Sequence, residues 1–180
     1  MKRLLMAATA ALALLGTASA ALAEAKTLRV AKQYGLGYIQ LMLMEDQKLI
    51  EKHAKAAGLP DVTVDWSTFR SSDVMNDALI SGSLDFASLG PTGIITIWSR
   101  TRNNVDVRVA TGINAMAWTL NVRDPAIKSI RDFKPDQRIA VPGVKVSGQA
   151  TALQIAAAKE WGDKEYEKLD GLTVSLSHPD

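Results

Sequence analysis

Short apolar runs and longer stretches with helical spacing alternate along the first part of this chain. The short runs have the length of buried strands and lie at residues 27–31, 62–66, 84–89 and 105–113. Between them, apolar positions recur every three or four residues, as they do on one face of a helix. This order predicts an α/β fold in which right-handed crossovers join parallel strands.

Three helices are predicted between these strands. The first begins near Ile39 and ends at residues 58–60, where a glycine and a proline stop it. The second takes Ser72 as its N-cap, because a serine hydroxyl can accept a backbone N–H at a helix start. The third begins at Pro91 and ends near residue 102. The inward positions of the second helix are predicted to be Val74, Ala78 and Leu79.

Residues 82–92 give the clearest indication of a binding site in the first half of the chain. Gly82 ends a helical segment, a short strand follows, and Gly90-Pro91-Thr92 starts the next helix. Proline suits the first helical turn because its missing N–H would have no partner there. The remaining N–H groups at that helix start would point beyond the carboxyl end of the strand, which favours binding of an anion.

A second unit with the same scheme begins near Asn114. Its predicted strands lie at residues 118–122, 138–141 and 172–176, with a helical turn at 130–133. A loop at 142–149 leads into a helix with one apolar face, formed by Ala150, Leu153, Ala157 and Trp161. We therefore divide the chain into a first α/β unit, 24–113, and a second unit, 114–180, whose sheet is incomplete within this sequence.

The N-terminus has the pattern of a secretory signal peptide over residues 1–23. Lys2 and Arg3 precede an apolar run that ends in small residues, and cleavage is predicted near Ala23. The run is shorter than the roughly 20 residues that a spanning helix needs. The chain has no cysteine, which excludes thiolate chemistry and a lipid-modified cysteine. Together these features predict an exported protein of a bacterial periplasm.

Charge and composition exclude several classes of function. The chain has 21 basic and 19 acidic residues, so loss of Lys2 and Arg3 leaves the two numbers equal. No basic tract remains to bind nucleic acid. His53 and His178 lie far apart without an acidic cluster, and we expect neither a metal site nor histidine-dependent catalysis. Gly35-Leu36-Gly37 lacks the third glycine of a dinucleotide fingerprint, so no cofactor is expected.

Ligands of parallel α/β sheets bind beyond the carboxyl ends of the strands, and the candidate ligand-binding residues are those at the predicted ends. Each has an ordinary structural alternative: a capping or turn role for the small residues, core packing for the aromatic ones, and a solvated surface position for the arginine. The candidates are Gln33, Tyr34, Gly35, Ser67, Arg70, Ser88, Gly90, Thr92, Asn114, Trp118, Ser147, Gly148 and Gln149.

With these residues placed, the sequence resembles the substrate-binding proteins of ABC importers, in the branch that handles nitrate, sulfonates and taurine. Three features carry the resemblance from about residue 27 onward. They are Ala-Leu-x-x-Gly-x-x-Asp at 78–85, the Gly90-Pro91 turn, and Arg131-Asp132-Phe133 ahead of a strand. Ala150 and Thr151 depart from the serine-rich loop and histidine of sulfonate-binding relatives.

The resemblance implies a fold of two lobes whose sheets are mostly parallel. The second lobe is incomplete in this sequence. It also implies a monomer that captures a small organic anion or oxyanion and delivers it to an ABC permease, without chemical conversion. Two alternatives remain at this point: an enzyme similar to pyrimidine-precursor synthases on the same scaffold, and a periplasmic ligand-sensing module.

Overall fold

A computed structural model describes residues 26–59 and 61–176 of the 180-residue chain. It contains a three-stranded sheet and a two-stranded sheet, both wholly parallel. The predicted α/β class is thus confirmed. Within the described residues, no helix combines the length and the apolar character that a membrane crossing would require.

The first sheet has the strand order β2-β1-β3, with β1 at Thr27–Gln33, β2 at Thr63–Phe69 and β3 at Phe86–Ala87. Gln33 is level with Phe69, and Ala31 is level with Ala87. Since parallel strands point the same way, their carboxyl ends meet at one edge of the sheet.

Helices cover both faces of this sheet. Helices α1 (Ile39–Asp46) and α2 (Leu49–Ala56) follow β1, and α3 (Ser72–Ile80) and α4 (Pro91–Thr101) follow β2 and β3. Ala31 of β1 packs against α3 and α4, whereas the neighbouring Lys32 forms an ion pair with Glu45 of α1 at 2.6 Å. Because successive strand residues point to opposite faces, the two helix pairs lie on opposite sides.

The core lies between the sheet and the α3–α4 pair. It consists of Ala31, Met75, Leu79, Leu84 and Ile97, all buried. Val74 and Ala78 are only partly buried, because Met75 and Leu79 are the α3 residues that face α4 and the sheet.

The second sheet pairs β4 (Ile139–Val141) with β5 (Thr173–Ser175). Helix α5 (Gly148–Trp161) covers it with Ala150, Leu153 and Ala157 buried and Trp161 packed at the edge of the cluster, as its spacing predicts. A short 3-10 helix at Ile130–Asp132 confirms the predicted helical turn before β4. Its N-cap is Ser129, whose hydroxyl accepts the Arg131 N–H at 3.2 Å.

The first predicted helix is in fact two. Lys48 adopts a left-handed conformation with φ of 50°, which ends α1 and turns the chain before α2. Apolar spacing does not reveal this break because the apolar positions continue in near-helical phase across it. His53, on α2, is exposed.

Strand boundaries also differ from the predictions. Strand β2 continues to Phe69, so Ser67 lies within a strand and the prediction that it belongs to a loop is wrong. The runs at 105–113 and 118–122 form no strand, because no neighbouring strand lies in register to complete a ladder. The predicted signal peptide with its cleavage near Ala23, the helix end at Pro60, and His178 lie outside the described residues.

A two-way clamp between Arg29 and Asp85 fixes β3 beside β1. The Arg29 side chain donates to both carboxylate oxygens, from Nη2 at 2.6 Å and from Nε at 3.0 Å. The Arg29 backbone N–H donates to Asp85 at 2.8 Å, and the Asp85 N–H donates to the Arg29 carbonyl at 2.9 Å. These hydrogen bonds from Arg29 lower the pKa of Asp85.

We expect the clamp to make stability depend on acid pH. A carboxyl group whose pKa is lowered by folding stabilises the native state above its unfolded pKa, about 3.9, and loses that contribution as pH falls through the folded value. The urea midpoint should therefore drop between pH 5 and pH 2. Asp85→Asn should lower the midpoint at pH 7 and flatten this dependence, and an unchanged slope in that variant would contradict the clamp.

Candidate functional site

The carboxyl edge of the first sheet is held together by Gln33. Its amide lies at the end of β1, is buried, and donates to Ser72 Oγ at 3.3 Å and to the Ser88 carbonyl at 3.4 Å. One side chain thus connects the end of β1 with the start of α3 and the end of β3. Sequence analysis placed Gln33 at this edge as a candidate ligand-binding residue; in the structure its amide bonds to other residues of the protein.

The starts of α3 and α4 cross in close contact at Ser72 and Gly93. A Cβ added to Gly93 would lie 2.6 Å from the Cβ of Ser72, a distance that only glycine permits. One turn further along α3, the Asn76 amide donates to the Gly93 carbonyl at 3.1 Å. The crossing therefore brings two helix N-termini to the same place at the carboxyl edge of the sheet.

Helix α4 begins as the sequence predicts. Gly90 is its N-cap with φ of −74°, Pro91 is its first residue, and Ile94 makes the first intrahelical hydrogen bond, to the Gly90 carbonyl at 3.0 Å. The backbone N–H groups of Thr92 and Gly93 donate to nothing among the described residues. Such N–H groups, with the positive end of the helix dipole, favour an acceptor or an anion.

The second unit approaches this edge through the start of α5. Ser147 is a buried N-cap whose hydroxyl accepts the Ala150 N–H at 3.2 Å. The Trp118 ring lies on Gly148, since an added Cβ there would come within 2.5 Å of the ring. A Cβ on Gly143, in the preceding loop, would lie 3.7 Å from the Asp73 carboxylate of α3. The starts of α3, α4 and α5 therefore lie on one side of the molecule.

Sequence reasoning missed three polar residues at this place: Ser71, Asp73 and Asn76. Ser71 and not Ser72 is the N-cap of α3, and the buried Ser71 hydroxyl donates to the Asp73 carboxylate. The Asn76 side-chain oxygen is buried and has no hydrogen-bond partner among the described residues. Two adjacent serines indicate a helix start, but nothing in the sequence shows which of them occupies the N-cap position.

The remaining predicted residues lie beside the starts of α3, α4 and α5 or away from them. Tyr34 is 39% exposed, and Gly35 takes φ of 103°, a conformation that a side chain would disfavour. Arg70 is exposed in the bend between β2 and α3 and has no hydrogen-bond or ion-pair partner among the described residues.

Asn114 is exposed and donates to the Gly37 carbonyl. Ser67 is turned to solvent within β2, and Gln149 follows Gly148 as a half-buried residue.

Two open cavities lie away from this group of residues. One, of about 580 Å³, is an apolar hollow between α2 and the starts of β1 and β2. The other, of about 410 Å³, lies in the second unit beside Trp161 and Phe133. No predicted ligand-binding residue lines either one. The starts of α3 and α4 are in direct contact at Ser72 and Gly93.

In the described ranges, 26–59 and 61–176, no three His, Cys, Asp or Glu side chains come together in a way that could hold a metal ion. No family model, curated protein or solved structure matches the chain. The polar groups of the site are backbone N–H groups, hydroxyls and amides, together with the Asp73 carboxylate and the exposed Arg70 guanidinium.

The close crossing predicts a cost for any side chain at Gly93. Gly93→Ala should lower the free energy of unfolding by about 1–3 kcal/mol, because its methyl group would force α3 and α4 apart. Gly90→Ala is a matched control three residues earlier, since its Cβ would meet nothing within 4 Å. Urea denaturation compares the two, and equal losses would show that the crossing is not under steric constraint.

Proposed function

We propose that this chain is the extracytoplasmic solute-binding component of an ABC import system. It would capture a small organic anion or oxyanion, of the sulfonate, taurine or nitrate kind, and deliver it unchanged to a permease in the inner membrane. The observation that carries the proposal is the meeting of the α3, α4 and α5 starts at the carboxyl edge of the first sheet.

The donors at this edge suit an anion better than a neutral apolar ligand. The N–H groups of Thr92 and Gly93 at the start of α4 are available to an acceptor, and the helix dipole favours negative charge there. Arg70 lies one residue before the N-cap of α3 and is exposed. A guanidinium in that position can form two parallel hydrogen bonds with a carboxylate, sulfonate or nitrate group.

Capture would couple binding to closure of two lobes. In this proposal the first lobe contributes the starts of α3 and α4, and the second contributes the start of α5 with Ser147 as its cap. A ligand that contacts both lobes binds the closed state more tightly and shifts the open–closed equilibrium toward it. The Trp118 ring, placed over Gly148, would exclude water from the closed site.

The delivery step rests on the N-terminal sequence pattern. A basic pair, an apolar run and a small-residue cleavage pattern predict export, and a transport role needs the protein on the outer side of the inner membrane. The permease would then recognise the closed, loaded form.

A thermal-shift screen tests capture directly. At about one hundred times its Kd, a ligand that binds only the native state stabilises it by about 2.7 kcal/mol. For a chain of this size that should raise Tm by roughly 5–10 °C. The screen should contain taurine, alkyl sulfonates, nitrate and carboxylates, with matched neutral amides as controls. If no anion raises Tm, the proposal is wrong. If mass spectrometry shows that a bound compound is converted, the protein is an enzyme instead.

Arg70→Ala tests the anionic part of the site. Loss of a charge-assisted hydrogen bond should raise Kd for the best anion by roughly 10- to 100-fold and leave Kd for a neutral analogue nearly unchanged. Arg100→Ala is the control, because Arg100 lies near the end of α4, paired with Asp77 at 3.6 Å. Equal effects of Arg70→Ala on charged and neutral ligands, measured by calorimetry, would refute this role.

A further inference from the structure

The start of α3 carries a carboxylate without a cationic partner. Asp73 is half-buried in the first turn of this helix and accepts a hydrogen bond from the buried Ser71 hydroxyl. No lysine, arginine or histidine among the described residues forms an ion pair with Asp73, and this includes Arg70, three residues earlier. The positive end of the helix dipole favours an acid at this position, but it supplies no counter-ion.

The loop that faces Asp73 supplies no counter-ion either. Gly143, where an added Cβ would lie 3.7 Å from the Asp73 carboxylate, has no side chain. Lys145 follows two residues later, but its ammonium group lies 3.9 Å from Glu167 and 3.8 Å from Asp170. Neither α3 nor this loop, both within the described residues, therefore gives Asp73 a positive partner.

A second acceptor on the same face of α3 lacks a donor. Asn76 follows Asp73 by three residues, a spacing that makes two side chains neighbours on a helix surface. Asn76 is 2% exposed, and its amide nitrogen donates to the Gly93 carbonyl in the first turn of α4 at 3.1 Å. The amide oxygen beside it, at the same crossing of helix starts, is buried without a partner among the described residues. Such an acceptor is unfavourable, and a donor from a bound molecule would remove that cost.

The donors for an anion lie close to these acceptors. Thr92 and Gly93 begin α4 with N–H groups that donate to no described residue, and Gly93 is in direct contact with Ser72, the residue before Asp73. Consecutive Cα atoms are about 3.8 Å apart, so these donors and the Asp73 carboxylate are separated by roughly one or two residue lengths. An anion without a positive group would therefore bind beside a carboxylate that repels it.

We infer that the solute is a small zwitterion, in which a carboxylate or sulfonate group and an ammonium group are joined by a short carbon chain. The inference rests on the proposed function and concerns the same site. The acid group accepts from the start of α4 and from Arg70, and the ammonium group lies against the Asp73 carboxylate. It also donates to the Asn76 amide oxygen, directly or through one water molecule. The ligand thus brings the counter-ion that Asp73 lacks, and it offsets the repulsion between Asp73 and the acid group.

Two matched pairs of ligands test the ammonium group on the full chain without any substitution. Taurine and ethanesulfonate share the acid group and the carbon chain, and only taurine carries an ammonium group. β-Alanine and propionate form the same pair with a carboxylate. A charge-assisted hydrogen bond to Asp73 should make the ammonium-bearing member of the pair bind tighter, by roughly 10- to 100-fold in Kd. Isothermal titration calorimetry measures the four values.

The outcomes separate this inference from the proposed function. If an anion without an ammonium group binds as tightly as its ammonium-bearing counterpart, or more tightly, the inference is wrong and capture of a simple anion remains. If no member of either pair binds and no other anion raises Tm, both proposals are wrong.

Asp73→Asn tests whether this carboxylate makes the ammonium contact. The asparagine side chain has the same shape and keeps an oxygen for the Ser71 hydroxyl, but it carries no charge. Kd for taurine should rise by roughly 10- to 100-fold. Kd for ethanesulfonate should stay the same or fall, because the repulsion between two negative groups is removed. A role of Asp73 in the stability of α3 alone would affect the two ligands equally.

Asp77→Asn is the matched control. Asp77 lies one turn further along α3, is exposed, and pairs with Arg100 at 3.6 Å, so neither Kd should change. Circular dichroism checks that both variants are folded, and the ligand pairs decide the question if Asp73→Asn is not. An equal change for both ligands in Asp73→Asn, or the same loss of selectivity in Asp77→Asn, would contradict the role of Asp73.

Discussion

The close approach of Ser72 and Gly93 is the contact on which the arrangement of the site depends. A backbone without a side chain at Gly93 lets the first turn of α4 lie directly against the first turn of α3. Asn76 then fixes the spacing with its hydrogen bond to the Gly93 carbonyl. Because both helices start at this crossing, their unpaired N–H groups are brought to one edge of the sheet. A larger residue at Gly93 would separate the two groups of donors.

The Arg29–Asp85 clamp is the second constraint, and it acts from the opposite end of β3. This strand has only two residues in its ladder with β1, which alone would hold it weakly. The clamp adds side-chain and backbone hydrogen bonds at Asp85, and Arg29 also donates to the Gly82 carbonyl at 2.5 Å. The start of α4 is positioned by this short strand. An ion pair at the other end of β3 therefore helps to fix where the donors at the start of α4 lie.

The two units contribute differently. The first has helices on both sides of its sheet and a continuous core. The second has two paired strands, one covering helix and its own small cluster around Ile139 and Leu153. The connecting residues 108–122 belong to neither sheet, and their backbone N–H groups donate to no described residue. Few hydrogen bonds therefore join the second sheet and its helix to the first sheet through this connection.

The sequence by itself determined the α/β class, the parallel strands, the face of α5 and the start of α4, because these follow from local periodicity and from the chemistry of glycine and proline. It also placed Gln33, Gly90 and Ser147 at strand or helix ends. Only the tertiary structure decided that 105–113 and 118–122 remain unpaired, since pairing depends on a neighbour that no local pattern specifies. The same holds for Asn76, whose hydrogen-bond partner Gly93 lies 17 residues further along the chain and comes near it only through the packing of α3 against α4.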